Sequence, residues 1–189
     1  MNMEPVRFGV IGCGLMGREF ASVSMRWLHL ACELPRPVIV AACDLSPKNL
    51  DWFRQVPDTK YFYSDYHELL ANPEVEAVYC AVPHHLHAQV YGDVIRAGKH
   101  LIGEKPFGMD LAACEEVEAA MAGRPEVFVR CASEFPFYPA VQQMVKWYRE
   151  GAFGQIIEAR FAIKHSSDMD LAKPINWKRM RAANGEYGC

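Results

Sequence analysis

Gly12-Cys13-Gly14-Leu15-Met16-Gly17 is the stretch whose residue types and spacing point most directly to chemistry. In a G-x-G-x-x-G turn the first glycine makes the tight bend, the second lets backbone approach a pyrophosphate, and the third lets helix and strand pack closely. A helix opening there offers unpaired N–H groups and the positive end of its dipole to phosphates. Asp44 is the partner, an acid at the end of the next apolar run, placed to accept from the hydroxyls of an adenosine ribose. Its distance from Gly17 exceeds the usual roughly 20 residues, which points to an extended first helix. No arginine follows Asp44 directly, and an acid there repels a 2′-phosphate, so NAD is expected rather than NADP. The plain alternative is a glycine turn with an aspartate capping a loop.

Two further clusters follow. Ala81-Val82-Pro83-His84-His85-Leu86-His87 closes an apolar run, and in an open parallel sheet ligands bind beyond the carboxyl ends of the strands. Ala81, Val82, Pro83, His84 and His87 would then line the nicotinamide side. His84 and His87 share a helical face, but zinc wants three or four converging ligands, and no other His or Cys pair has such spacing. No metal is expected. Gly103-Glu104-Lys105-Pro106 follows the next apolar run. A lysine beside a cofactor can hydrogen-bond a substrate hydroxyl and lower its pKa as hydride leaves, and Pro106 can fix the loop through its restricted φ or a cis peptide. Alone, this segment reads equally as an exposed charged loop.

The elements that must position these groups alternate. Apolar runs at Val6–Ile11, Val38–Cys43, Tyr61–Tyr63, Ala77–Val82, His100–Gly103 and Val127–Arg130 read as six strands. Helical periods lie between them: Phe20, Val23, Trp27, Leu30 and Leu34; then Leu86, Val90, Val94 and Ala97; then Asp110–Met121. Ser46-Pro47 reads as an N-cap and first helical residue, and Asp65-x-x-Glu68 as a capping box. The strands are continuous apolar runs, so both sheet faces should be covered, as in an α/β doubly wound parallel sheet. After Cys131 the rhythm changes. Val141, Met144, Val145 and Tyr148 predict a helix ending near Gly151, and Ile157, Ala159, Phe161 and Ile163 alternate with Glu158, Arg160 and Lys164 as in an antiparallel strand.

Composition narrows the setting. The chain has 189 residues, 51% of them hydrophobic and 23% charged, and a net charge of −3, which argues for a folded protein and gives no sign of nucleic-acid or anionic-membrane binding. No apolar run approaches the roughly 20 residues of a membrane span. The N-terminus does not read as a secretory signal, because Gly9, Gly12, Gly14 and Gly17 interrupt it and Arg18 and Glu19 follow. Seven cysteines without a C-x-x-C pair suit buried thiols of a reducing compartment, so a cytoplasmic location is expected.

Taken together, GCGLMG at Gly12–Gly17, AVPHHLH at Ala81–His87, AGKH at Ala97–His100 and EKP at Glu104–Pro106 stand in the order of one family. The chain resembles the Gfo/Idh/MocA family of glucose–fructose oxidoreductase and inositol dehydrogenase. Glu134–Pro139, Gly154–Arg160 and Asn176-Trp177-Lys178 extend the likeness along the chain. The resemblance implies a Rossmann domain over residues 1–131 and, over 132–189, the start of a substrate and oligomerisation domain with a mostly antiparallel sheet. It implies NAD(P)-dependent hydride transfer at a hydroxyl-bearing carbon of a sugar, cyclitol or related polyol, and a homo-oligomer.

Residue by residue, the likeness assigns Gly12, Cys13, Gly14, Leu15, Met16 and Gly17 to the pyrophosphate turn and Asp44 to the ribose. It assigns Pro83 and His87 to the nicotinamide-side loop, Glu104 to the cofactor-side acid and Lys105 to the catalytic lysine. In the family an Asp and then a His, commonly the acid/base, follow the tryptophan motif. Here Asn184-Gly185-Glu186-Tyr187-Gly188-Cys189 stands where that pair would be expected. A C-terminally incomplete enzyme is the first expectation, and a non-catalytic dinucleotide-binding fragment or pseudoenzyme subunit is the alternative.

Overall fold

Six short strands line up side by side in the computed structural model, which describes residues 3–30, 33–162, 164, 172, 174, 177 and 180–184. They are β1 (Val6–Ile11), β2 (Pro37–Cys43), β3 (Tyr61–Tyr63), β4 (Ala77–Cys80), β5 (His100–Gly103) and β6 (Val129–Cys131). All pairings are parallel and the spatial order is β3-β2-β1-β4-β5-β6. The chain therefore reverses its direction of travel between β1 and β4, and every strand delivers its carboxyl end to the same edge.

The helices are α1 (Leu15–Met25), α2 (Pro47–Phe53), α3 (Tyr66–Ala71), α4 (His87–Arg96), α5 (Leu111–Ala122), α6 (Pro139–Arg149) and α7 (Arg181–Asn184). Neighbouring strand residues point to opposite faces, so the continuous apolar runs feed two cores. Ile11, Val40, Val78 and Leu101 pack on one side with Leu69, Val90, Val94, Ile95 and Val117 from α3, α4 and α5. Val10, Ile39 and Tyr79 pack on the other with Ala21 of α1 and Phe53 of α2. Val10, Ile95 and Leu101 are fully buried, each contributing about 1.5–3 kcal/mol by leaving water.

The first helix departs from its sequence pattern. Phe20, Val23, Trp27, Leu30 and Leu34 do not form one long stripe, because α1 ends at Met25 and a 3-10 turn covers Trp27–His29. Its buried face is Gly17, Ala21 and Ser24, whereas Val23, Leu30 and Leu34 are exposed. A Cβ on Gly17 would lie 2.3 Å from the Gly12 carbonyl oxygen. The helix thus runs so close to β1 that small side chains fill the gap and large ones are turned away. Both expected caps hold their positions and differ in detail. Asp65 precedes α3 but its side chain accepts from the His67 N–H, while the Glu68 N–H bonds the Asp65 carbonyl. Ser46 precedes Pro47 at the start of α2 but makes no side-chain cap bond, its own N–H donating to Asp44 Oδ1 at 2.7 Å.

The chain divides into two compact units, residues 1–132 with 177–189, and residues 133–176. The second holds a 3-10 turn at Phe135–Phe137 and α6, with Trp147 edge-on to Phe153. The strand expected from Gln155 does not form over residues 155–162. Ile157 and Phe161 are 96% and 85% exposed. Alternation sets the faces of a strand, but the strand itself needs a neighbour to take its N–H and C=O groups, and the described part of this unit contains no other strand. Ile163, His165, Asn176, Lys178 and residues 185–189 lie outside the described residues.

Candidate functional site

At the shared carboxyl edge, where the chain reverses direction, a cavity of about 700 Å³ opens beside the glycine turn. Gly12, Gly14, Leu15 and Met16 line it after β1, Asp44 and Asn49 after β2, Ser64, Asp65 and Tyr66 after β3, and Ala81, Val82 and Pro83 after β4. Gln89 of α4 and Trp177 complete its wall.

The three glycines do three different things. Gly12 has φ +90°, and a Cβ there would sit 2.5 Å from the Ala81 carbonyl oxygen. Gly17 packs on the Gly12 carbonyl. Gly14 is the N-cap of α1 with an ordinary φ of −72°, and a Cβ there would meet nothing within 4 Å. Two glycines are thus required by the protein's own packing, and the third borders empty space at a helix N-terminus. No side chain caps that terminus. Bare N–H groups facing a cradle that any Cβ would fill fit a pyrophosphate.

Cys13 contributes through its backbone. Its side chain is fully buried, with Sγ 3.5 Å from the Cys43 carbonyl oxygen, while its N–H donates to Asp44 Oδ2 at 2.8 Å. Asp44 is half-buried and also accepts from Asn49 Nδ2 at 3.1 Å. That cluster ties the turn after β1 to the loop after β2. Burial pushes the Cys13 thiol up, and the Cys43 and Cys80 thiols up to about 12, so all three stay protonated and inert at neutral pH.

His84, His87, Glu104 and Lys105 do not line the cavity. His84 lies edge-on to Trp177, with ring centroids 5.1 Å apart. Behind the loop, His87 is fully buried with Nδ1 2.7 Å from the Pro106 carbonyl oxygen and Nε2 3.0 Å from that of Val82. This one ring links the loop after β4 to the loop after β5. Tyr91 stacks on it at 4.7 Å and donates to the Glu104 carbonyl at 2.8 Å. The Glu104 carboxylate accepts from Tyr79 Oη at 2.5 Å and from the Lys105 N–H at 3.2 Å. Lys105 is exposed, its ammonium has no hydrogen-bond partner among the described residues, and the Lys105–Pro106 peptide is cis. A buried scaffold of aromatic, acid and imidazole groups holds the backbone at Lys105 and leaves its ammonium available.

Burial, the largest cause, lowers the pKa of His87 below the ordinary histidine value, and the two carbonyl contacts offset this in part. The folded state thus favours the neutral ring more than the unfolded chain does. Folding stability from this group is complete above about pH 6.5 and declines as pH falls from there through the lower folded pKa. Urea denaturation between pH 7.5 and pH 5 is expected to show that decline, and His87→Gln to flatten it. An unchanged slope in the variant would refute the assignment.

Sequence reasoning missed Asn49, Tyr66, Tyr79 and Gln89. Tyr79 sits inside an apolar run and reads as core. Asn49 and Gln89 occupy helical positions whose orientation only the packed fold fixes. Among the described residues no three His, Cys, Asp or Glu side chains gather as a metal site, and no helix is long and apolar enough to cross a membrane.

Comparison with known proteins adds a family. The model of the Gfo/Idh/MocA family, described as an oxidoreductase family with an NAD-binding Rossmann fold, matches residues 6–130. Levoglucosan dehydrogenase of Pseudarthrobacter phenanthrenivorans is 27% identical over 188 residues, covering 97% of this chain and 47% of that protein. Human trans-1,2-dihydrobenzene-1,2-diol dehydrogenase is 31% identical over 159 residues, covering 82% of this chain and 45% of that protein. A solved levoglucosan dehydrogenase in complex with NADH superimposes with a TM-score of 0.83 at 22% identity, over 96% of this chain and 49% of that one; this likeness is one of fold. The chain spans about half the length of the curated relatives it matches.

Proposed function

The chain belongs to the Gfo/Idh/MocA oxidoreductase family with its NAD-binding Rossmann fold, and on that premise we propose that the whole protein is an NAD-dependent dehydrogenase. It acts at the CH–OH carbon of a sugar, cyclitol or related polyol. One observation carries this reading: the glycine cradle after β1, Asp44 after β2 and the lysine loop after β5 all leave the same carboxyl edge of one parallel sheet, on strands within one place of the β1/β4 reversal. The names of the levoglucosan and dihydrobenzenediol relatives support a hydroxyl-bearing ring as substrate.

In this reading the pyrophosphate lies on the N-terminus of α1 against Gly12, Gly14 and Leu15, and Asp44 accepts from the ribose. NAD, when bound, supplies the hydride acceptor. Ala81, Val82 and Pro83 shape the side nearer the reacting carbon. Lys105 donates a hydrogen bond to the substrate hydroxyl oxygen and stabilises the developing alkoxide, while the hydroxyl proton passes to a general base of the whole protein, a histidine as the family resemblance implies. His87, Tyr91 and Glu104 position that lysine from behind. Residues 1–131 form the cofactor domain and residues beyond 131 begin the substrate and oligomerisation domain. The buried free thiols Cys13, Cys43 and Cys80 support a reducing, cytoplasmic setting.

Titration of the chain with NADH and, separately, NADPH tests the cofactor half of the proposal. Cofactor fluorescence and energy transfer from its four tryptophans are expected to saturate, with NADH bound more tightly. A folded chain that saturates with neither would overturn it.

A further inference from the structure

Asp44 has no arginine after it in sequence, yet the fold brings one close by another route. Asn49, on α2 and lining the cavity, donates from Nδ2 to Asp44 Oδ2 at 3.1 Å and accepts at Oδ1 from Arg18 Nη2 at 3.1 Å. The amide therefore stands between an anion and a cation with each end matched to its charge. Arg18 leaves α1 one residue after the last glycine of the turn, its guanidinium 5.1 Å over the Trp52 ring. Its Nε is buried without an acceptor, an unmet donor on a group otherwise held by one neutral amide.

The carboxylate is nearly filled as well. It offers about four acceptor positions, and Cys13 N, Ser46 N and Asn49 Nδ2 take three. Its orientation is set before any ribose arrives. Arg18 does not itself line the cavity and its Nε is buried, so a 2′-phosphate would meet this guanidinium, which pairs with phosphate oxygens through two N–H groups, only once Asn49 lets it turn toward the site. Asn49 holds Arg18 to itself and keeps Asp44 facing the site.

We propose that Asn49 is a specificity-determining residue: by bridging Arg18 and Asp44 it keeps this site on NAD and holds in reserve a cation able to take a 2′-phosphate. The inference rests on the reading of Asp44 as the ribose acceptor and goes beyond it by assigning discrimination to the Arg18–Asn49–Asp44 bridge. Asn49→Leu, of similar size, removes both bonds.

The test is the ratio of NADH to NADPH affinity, measured by fluorescence titration of the full chain and each variant, with circular dichroism as the fold control. Asn49→Leu is expected to weaken NADH roughly tenfold, the usual scale for a lost hydrogen bond to a charged group, while NADPH holds or tightens, so the ratio narrows. Adding Arg18→Gln is expected to remove whatever NADPH binding Asn49→Leu gained or kept. Asn49→Ala also lacks both bonds and serves if Asn49→Leu fails to fold: the ratio should narrow in the same sense, and Arg18→Gln in the same chain should abolish the NADPH binding gained or kept. Equal weakening of both cofactors by Asn49→Leu, or NADPH binding indifferent to Arg18 in either background, overturns the inference while leaving the cofactor reading intact. A wild-type chain that binds neither cofactor overturns both.

Discussion

In the whole protein, on the function proposed above, Lys105→Ala is expected to lower kcat for polyol oxidation by about 10²–10⁴-fold, the range for losing a positioned proton-handling group, while NADH affinity changes little. The split follows from the geometry. Lys105 lies outside the cavity proposed for the cofactor and its ammonium is unengaged among the described residues, so its removal should strip nothing from the cofactor contacts. Its backbone is held by Glu104, itself fixed by Tyr79 and Tyr91, so truncation beyond Cβ leaves the loop in place. The substrate hydroxyl would then lose the cation that stabilises its developing charge, an effect felt mainly in the transition state. Steady-state kinetics with a turned-over polyol, beside NADH titration, provide the check. Unchanged turnover would remove Lys105 from the mechanism; a matching loss of NADH affinity would reassign it to cofactor binding.

Tyr91→Phe makes the complementary case for positioning. It removes the bond to the Glu104 carbonyl while keeping the ring stacked on His87, so its effect should be far smaller than that of Lys105→Ala and appear without any change in cofactor preference.

How much of this was legible follows the kind of information each residue carries. The sheet was legible because its strands are covered on both faces and need uninterrupted apolar runs, which survive as a pattern in Val6–Ile11 or Ala77–Cys80. The glycine turn was legible because backbone conformation and close approach at Gly12 and Gly17 leave no other residue type possible. The first helix misled because the same close approach replaces large apolar residues with Gly17, Ala21 and Ser24 on the buried face; a hydrophobic stripe is a guide only where there is room for one. The region after Gln155 misled for the opposite reason, since alternation was present but, among the described residues, no neighbouring strand was. The Arg18–Asn49–Asp44 bridge joins residues 31 apart in sequence on separate elements, and no local spacing encodes it. Asp44 was legible as an acid at a strand end, but what orients it was not.

The three glycines of the turn give the sharpest separation between folding and binding. Gly12→Val is expected to cost the fold. Its φ of +90° is one that β-branched residues rarely adopt, and its Cβ would meet the Ala81 carbonyl at 2.5 Å, a backbone atom anchored by the Ala81 N–H to Ile11 bond at 2.8 Å. Neither β1 nor β4 can yield without breaking the ladder between them. Gly14→Val is expected to leave thermal unfolding close to wild type, because its φ is ordinary and its Cβ would meet no atom within 4 Å. Yet it should abolish saturable NADH binding, since those branched methyls would occupy the cradle where a pyrophosphate must touch the N–H groups of α1. The measurement is a thermal melt and an NADH titration on each variant. If Gly14→Val folds and still binds NADH as wild type does, the cradle is not where the pyrophosphate lies. If Gly12→Val melts as wild type does, the turn is not held by the contacts described. Loss of binding with retention of fold at Gly14 alone ties the empty space beside the helix terminus to the cofactor, because no packing defect remains to explain it.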